Sequence, residues 1–412
     1  MGRSLLALAA VLFVASSCFE DVPPPTQGFI EIGTGGVSGA EVFLDGVSQG
    51  AAEKLGPLEA GTYTVSVAKP YYDVAPADRE VVVQPTKTAR VDFAMTLVVV
   101  GAAHVTATDE LLGGAVDGAA IFILDGSGTP QPTGVVTDAS GSATLERLPP
   151  GPTRFLLRKD GFADTSPIAE DVQPFNTIDV AAQLGPPRAV LLEMFTYVVC
   201  PNCPPSSAEI RGMYRDNAGT LFAIEWHSVA GLPLYDARWH THEIYYRGTN
   251  FNGWPAVVVQ GGANDSPAVL VDSNASELAQ YHARFEAQRG ACSNDCPVAV
   301  KATGTIDALA ATFTVRVKWR GGSLPGNLVL RTALIQQLVS APGNDSPYDF
   351  VARDLHEEAL TLTTPGQVVE FPESFIISGT WNADKMDLVS YVQSDDTHEI
   401  LAVWGTRRVT LP

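Results

Sequence analysis

The chain has 412 residues, which at about 150 residues per domain leaves room for several cores. Its 26 Lys and Arg against 46 Asp and Glu give a formal net charge of −20, which repels nucleic acid and anionic headgroups and excludes a nucleic-acid-binding role. A hydrophobic content of 45% with 37 Gly and 29 Pro excludes general disorder and favours many short strands over long helices.

The N-terminus carries Arg3, an apolar run over residues 5–14, and the small residues Ala15, Ser16 and Ser17. That run is too short to span a bilayer and reads as a secretory signal peptide over 1–17. Cys18 follows directly, and the arrangement resembles the lipobox of bacterial lipoproteins. The resemblance implies a lipidated Cys18 as mature N-terminus, with residues 18–27 as a Pro-rich tether. Phe19 in the next position implies an outer-membrane destination. The expected location is therefore the bacterial cell envelope, with membrane contact through the lipid anchor only, in an oxidising compartment.

Two stretches then repeat. AEVFLDG at 40–46 matches AAIFILDG at 119–126, and Leu58-Glu59-Ala60-Gly61 matches Leu148-Pro149-Pro150-Gly151, each followed by alternating apolar and polar residues. Asp-Gly turns between alternating runs predict half-buried antiparallel sheets. Two small β-sandwich modules are expected, over 28–97 and 98–186. The first resembles the PEGA domain, through Leu44-Asp45-Gly46, the L-x-x-G-x-Y-x-V run and Val91-Asp92-Phe93. The second resembles a carboxypeptidase-regulatory or Ig-like module, through Val136-Thr137-Asp138 and its Leu-Pro-Pro-Gly turn. Neither holds a cysteine or a cluster of ligand-type residues, so binding or spacing is expected of them rather than catalysis.

From residue 187 the pattern changes. AVLLEMFT at 189–196 reads as a buried strand leading into Cys200-Pro201-Asn202-Cys203 and an amphipathic helix over 206–214. A second apolar strand over 221–227, a helix over 234–246, the Gly253-Trp254-Pro255 turn before a strand at 256–260, and a helix over 275–289 complete the layout of a thioredoxin-like α/β domain over 187–291. The region 188–412 resembles the Omp28-related outer membrane protein family. The residues that carry this are the 190–196 strand, Cys-Pro-Asn-Cys-Pro, Tyr245-Tyr246, the Trp-Pro strand, Ser390-Tyr391-Val392-Gln393 and Thr397-His398-Glu399-Ile400.

Disulfide chemistry needs a thiolate, and a helix N-terminus favours one. The thioredoxin-like layout implies Cys200 as nucleophile, Cys203 as resolving thiol and Pro255 as a cis-proline facing them. Glu193, in the strand before the motif, is either a proton acceptor for the resolving cysteine or a charge satisfied by a neighbour. His227, ending the next strand, is either a second proton-transfer group near the motif or a solvent-facing strand end. Trp254 is expected either to shape a peptide groove or to pack. Pro204 and Pro205 suit only the first turn of a helix, which moves Cys200 away from the helix dipole. His240 and His242 are two apart on a helix and face different ways, so no metal site is expected, and no cofactor is implied.

Cys292 and Cys296 can close a five-residue loop and are expected to form a structural disulfide. Alternating runs beyond Pro297 predict a β-sandwich over 292–412. The fold expected overall is multidomain: two small antiparallel β-sandwich modules, an α/β thioredoxin-like domain and a C-terminal β-sandwich. Two functions stand side by side. One is thiol–disulfide exchange on envelope or secreted proteins through Cys200 and Cys203; the other is a non-catalytic surface binding or adhesion protein in which the pair is a structural disulfide.

Overall fold

The computed structural model describes residues 25–247, 253–261, 269–270, 275–291, 296–342, 346–409 and 411. Cys18, the signal peptide and Cys292 lie outside the described residues. The chain divides into two compact units, Met1–Val100 and Gly101–Pro412.

In the first unit, β1 (Gln27–Gly33) is the centre of a three-stranded sheet. The remaining strands are β2 (Glu41–Leu44), β3 (Val47–Ser48), β4 (Lys54–Glu59), β5 (Gly61–Ala68), β6 (Tyr72–Ala75), β7 (Asp78–Val83), β8 (Thr88–Asp92) and β9 (Ala94–Leu97). β1 pairs antiparallel with β4 and parallel with β8, the second sheet runs β3-β2-β5-β7, and β6 pairs with β9. Alternate residues point inward, so Ile30, Val42, Val65, Val83 and Phe93 form the core. The β2–β3 hairpin closes through Asp45 and Gly46, both at positive φ (48° and 80°), the geometry that makes Asp-Gly a two-residue hairpin turn.

The second unit opens with another β module: β10 (Gly101–Asp109), β11 (Ala120–Leu124), β12 (Pro130–Val136), β13 (Ser142–Leu148), β14 (Gly151–Arg158), β15 (Ile168–Val172) and β16 (Thr177–Leu184). β10 lies between antiparallel β13 and parallel β16, and the second sheet runs β12-β11-β14-β15. This reproduces the pairing of β1 with β4 and β8 and the order β3-β2-β5-β7, so the internal repeat is a repeat of topology.

The rest of the chain comprises β17 (Val190–Thr196), α1 (Pro204–Asp216), β18 (Leu221–His227), α2 (Ala237–Arg247), β19 (Ala256–Val259), β20 (Val269–Leu270), α3 (Ala275–Gly290), β21 (Val298–Ile306), β22 (Ala310–Trp319), β23 (Leu328–Gln336), β24 (Val351–Ala359), β25 (Val368–Ile376), β26 (Met386–Ser394) and β27 (Ile400–Gly405). Here the expected fold is corrected. Among the described residues 27 strands stand against three α-helices, about half the chain being strand, and no self-contained α/β thioredoxin-like domain followed by a separate sandwich is present. β17 to β20 instead form one end of an eight-stranded sheet of order β20-β19-β17-β18-β24-β23-β26-β27.

The physical reason lies in β18, every residue of which is buried. As the edge of a small α/β sheet it would leave apolar side chains and unpaired backbone groups to water. It pairs with β24, from which it is separated in sequence by five strands, β19 to β23, and two helices. One core accordingly holds Val190, Leu192 and Phe195 of β17 together with Ala333, Phe350, Val389 and Tyr391 from the C-terminal part. The three-stranded sheet β21-β22-β25 packs over the far end of the large sheet, with Val298, Phe313, Val315 and Val317 against Leu330, Leu388 and Val392. The module of β10–β16 is held to this body by an ion pair between Lys301 Nζ and Asp109 Oδ2 at 2.5 Å and by the Arg320–Glu110 pair.

Candidate functional site

β17 ends at Thr196, and the chain turns through Tyr197–Val199 into the CPNC sequence. The Cys200 amide donates to the Tyr197 carbonyl at 3.2 Å, and Val199 sits at φ 64°. α1 begins at Pro204, so Pro204 and Pro205 occupy its first two positions, where the missing N–H groups cost nothing. Cys203 is the N-cap and makes no side-chain capping bond. Cys200 and Cys203 are joined in a disulfide with Cα atoms 5.5 Å apart. Both are buried, at 6% and 3% exposure. Cys296 is also disulfide-bonded and buried, and its expected partner Cys292 lies outside the described residues.

A cavity of about 460 Å³ borders the disulfide, lined among others by Tyr197, Ser207, Arg211, Pro347 and Tyr348. Side chains alternate along β17 and β18, so Met194, Thr196, Glu225 and His227 share the face toward α1. Ser207 Oγ, on α1, donates to Glu225 Oε1 at 3.0 Å and lies 4.0 Å from Met194 Sδ. Glu225 was not foreseen from sequence, although its place two residues before His227 puts both on one face. Burial pushes its carboxyl up to about 8, with Asp349 adding to the rise and Ser207 and Arg211 opposing it.

His227 lies behind the same cavity, with Nε2 3.9 Å from Glu225 Oε2 and its ring edge-on to Tyr348 at 5.0 Å. It is fully buried rather than solvent-facing, and burial, with Arg353 nearby, brings its pKa down to about 3. The Trp254–Pro255 peptide is cis. Trp254 packs edge-on against Tyr197 at 5.6 Å, which brings the turn before β19 to the same end of the sheet.

Glu193 belongs to the opposite face. Its Oε1 accepts from Trp226 Nε1 at 3.1 Å and lies 2.8 Å from His242 Nε2, while Oε2 accepts from the Tyr246 hydroxyl at 2.6 Å. Gln393 Nε2 donates in turn to Tyr246 Oη at 2.6 Å, and Gln393 Oε1 accepts from Arg331 Nη1 at 2.8 Å. The carboxylate is thus the hub of a buried network that ties α2 to β18 and β26. His240 points elsewhere, toward Glu243 at 3.9 Å.

The relatives bear on only part of this. The PEGA domain family model matches residues 34–98. The PEGA match takes in the first β module from residue 34, after β1, and stops short of 188–412, where the Omp28-related resemblance rests. No curated protein matches the chain. Among solved structures it is similar to HBP35 of Porphyromonas gingivalis, at 15% identity over 55% of this chain and 80% of that one, with a TM-score of 0.44. It is also similar to the Bacillus anthracis TIE protein, at 19% identity over 42% of this chain and 36% of that one, TM-score 0.21. A third is shaft pilin SpaA from Lactobacillus rhamnosus GG, at 11% identity over 39% and 98% of the two chains, TM-score 0.22. Likenesses this distant carry no argument about activity.

Proposed function

We propose that this chain is a non-catalytic binding protein of the bacterial cell envelope or surface, in which Cys200–Cys203 is a structural disulfide. The observation that carries the reading is the burial of both cysteines in the oxidised pair. Exchange requires a thiolate to reach one sulfur and the other sulfur to leave, so a largely buried pair with no helix-dipole support for Cys200 is a poor exchanger. The PEGA match and its topological twin support a role in which β modules present or space a binding surface. The signal sequence supports export, and lipidation at Cys18 with an outer-membrane destination forms part of the same proposal, as do envelope or secreted proteins as ligands.

The test is the oxidation state of the Cys200–Cys203 peptide in the folded, full-length protein equilibrated with dithiol buffers of set potential. A structural bond stays closed down to about −300 mV, and a Cys203→Ala chain captures no mixed disulfides from envelope extracts. Opening well above that potential, together with such capture, would establish thiol–disulfide exchange in its place. That second reading is favoured by one feature, the cavity of about 460 Å³ that both cysteines line.

A further inference from the structure

The cavity beside the disulfide has two walls of different origin. One is the first part of α1, with Pro204, Ser207 and Arg211; the other is Ser346, Pro347 and Tyr348, from the segment between β23 and β24. Nothing in the strand–turn–helix around the CPNC sequence requires that second wall. It is nevertheless fixed at several points. Tyr348 and Val339 exchange both backbone hydrogen bonds, at 2.7 and 2.8 Å, and the Leu338 amide donates to Asp349 Oδ1 at 3.1 Å.

The contacts from this segment to the disulfide turn and its helix are specific. The Val199 amide donates to Tyr348 Oη at 3.1 Å. Arg211 Nε lies 2.5 Å from Asp349 Oδ2, and Arg211 Nη2 donates to the Pro347 carbonyl at 3.5 Å. Val198, Val339, Tyr348 and Val351 share a small hydrophobic cluster of their own, apart from the two large cores. Asp349 is almost wholly buried, so its pairing with Arg211 is shielded from solvent, and removing one partner leaves a buried charge uncompensated.

We propose that residues 346–349 form an intrachain cover over the Cys200–Cys203 disulfide, clamped by the Arg211–Asp349 ion pair, and that reduction of the bond requires this segment to lift away from α1. The inference rests on the structural-disulfide reading and adds the device that enforces it. Reduction by a small dithiol then proceeds from the opened form. One reductant thiolate attacks a sulfur of the pair and the other cysteine leaves as thiolate. The second reductant thiol closes on the mixed disulfide, giving cyclic oxidised reductant and two protein thiols that take up the two protons the reductant gives up. When opening is fast relative to attack, the observed rate follows the population of the opened form.

The experiment uses the full chain in native buffer with excess dithiothreitol, quenched by alkylation, with mass analysis of the peptide that carries Cys200 and Cys203. Asp349→Asn is expected to raise the reduction rate about tenfold, and Tyr348→Phe, which keeps the ring and loses only the Oη contact, by a smaller factor in the same direction. Glu373→Gln, a buried carboxylate on β25 that pairs with His356, is the control for general loosening and should reduce at the wild-type rate. Equal rates in wild type, Asp349→Asn and Tyr348→Phe overturn the cover. So does an acceleration in Glu373→Gln as large as that in Asp349→Asn. Should Asp349→Asn fail to fold, the ratio for Tyr348→Phe decides. The wild-type potential alone judges the structural-disulfide reading, whereas the ratios judge the cover, so each fails separately.

Discussion

Replacing Glu225 by Gln should change how stability depends on pH, and the direction follows from two buried neighbours. Folded Glu225 keeps its proton up to about pH 8, whereas the unfolded chain releases it near 4.5. Between those values the folded state binds one proton more, so stability falls as pH rises. His227 acts in the opposite sense. Folded, it stays neutral down to about pH 3, while the unfolded chain takes up the proton below 6.5, so its contribution rises with pH across that interval. The two slopes cancel between pH 4.5 and 6.5, which leaves the Glu225 loss unopposed only from 6.5 to about 8. One proton's difference is worth about 1.4 kcal/mol per pH unit, or about 2 kcal/mol over that window.

Gln preserves the acceptor for Ser207 Oγ and cannot ionise. Urea unfolding of wild type and Glu225→Gln at half-unit steps from pH 4 to 9 isolates the effect as a difference curve, free of other titrating groups. The stability of the variant relative to wild type should climb by about 1.4 kcal/mol per pH unit between 4.5 and 8 and be level outside that range. Parallel curves would show that Glu225 titrates alike in both states, and the argument from burial would be wrong.

Other substitutions probe the remaining elements. Glu193→Ala strips the acceptor from Trp226, His242 and Tyr246 and should cost about 3–5 kcal/mol in chemical denaturation; a loss below about 1 kcal/mol would mean the network is not held by this carboxylate. Phe93→Ala, in the core of the first unit, should cost about 3–5 kcal/mol and shift the unfolding of that unit alone, as read by hydrogen exchange mapped along the chain. At Gly304 a Cβ would stand 2.1 Å from the Thr312 carbonyl oxygen across the β21–β22 pair. Gly304→Val should therefore destabilise by at least about 1–3 kcal/mol, and an unchanged melting temperature would show that the two strands can part without cost.

Much of the fold could be read from local pattern. Alternation and Asp-Gly turns marked both β modules, and the repeated L-D-G and L-x-x-G signatures marked them as copies of one another, but the parallel pairs β1–β8 and β10–β16 correct the wholly antiparallel sheets expected of them. The long apolar runs at 190–196 and 221–227 were strands, and the helices came within a few residues of their observed ends. The sheet to which those strands belong was not legible, because the β18–β24 partnership joins residues far apart in sequence at the single pair Glu225↔Val351. Reading elements in chain order therefore closed the α/β part too early.

The same limit governs the site. Glu193 looked placed to serve Cys203 because it precedes the motif, yet one step of strand alternation separates it from Met194 and sends it to the α2 face. Glu225, a lone carboxylate within LFAIEWH, gave no signal until the register set it beside His227 under α1. The segment 346–349 carries no motif at all; its role depends on where β23 and β24 place it.

The eight-stranded sheet also dictates an order of events. Every strand of the PEGA-containing unit lies within the first hundred residues, so that unit can complete its pairing as soon as this stretch is available. β18 by contrast waits for β24, about 130 residues further on, and the sheet is complete only when β27 has joined β26 at residues 400–405. During synthesis the central strands must be shielded from premature association until the last of their partners has emerged. The slow, vulnerable interval in the life of this protein thus falls between the emergence of the cysteine pair and the arrival of residues 400–405.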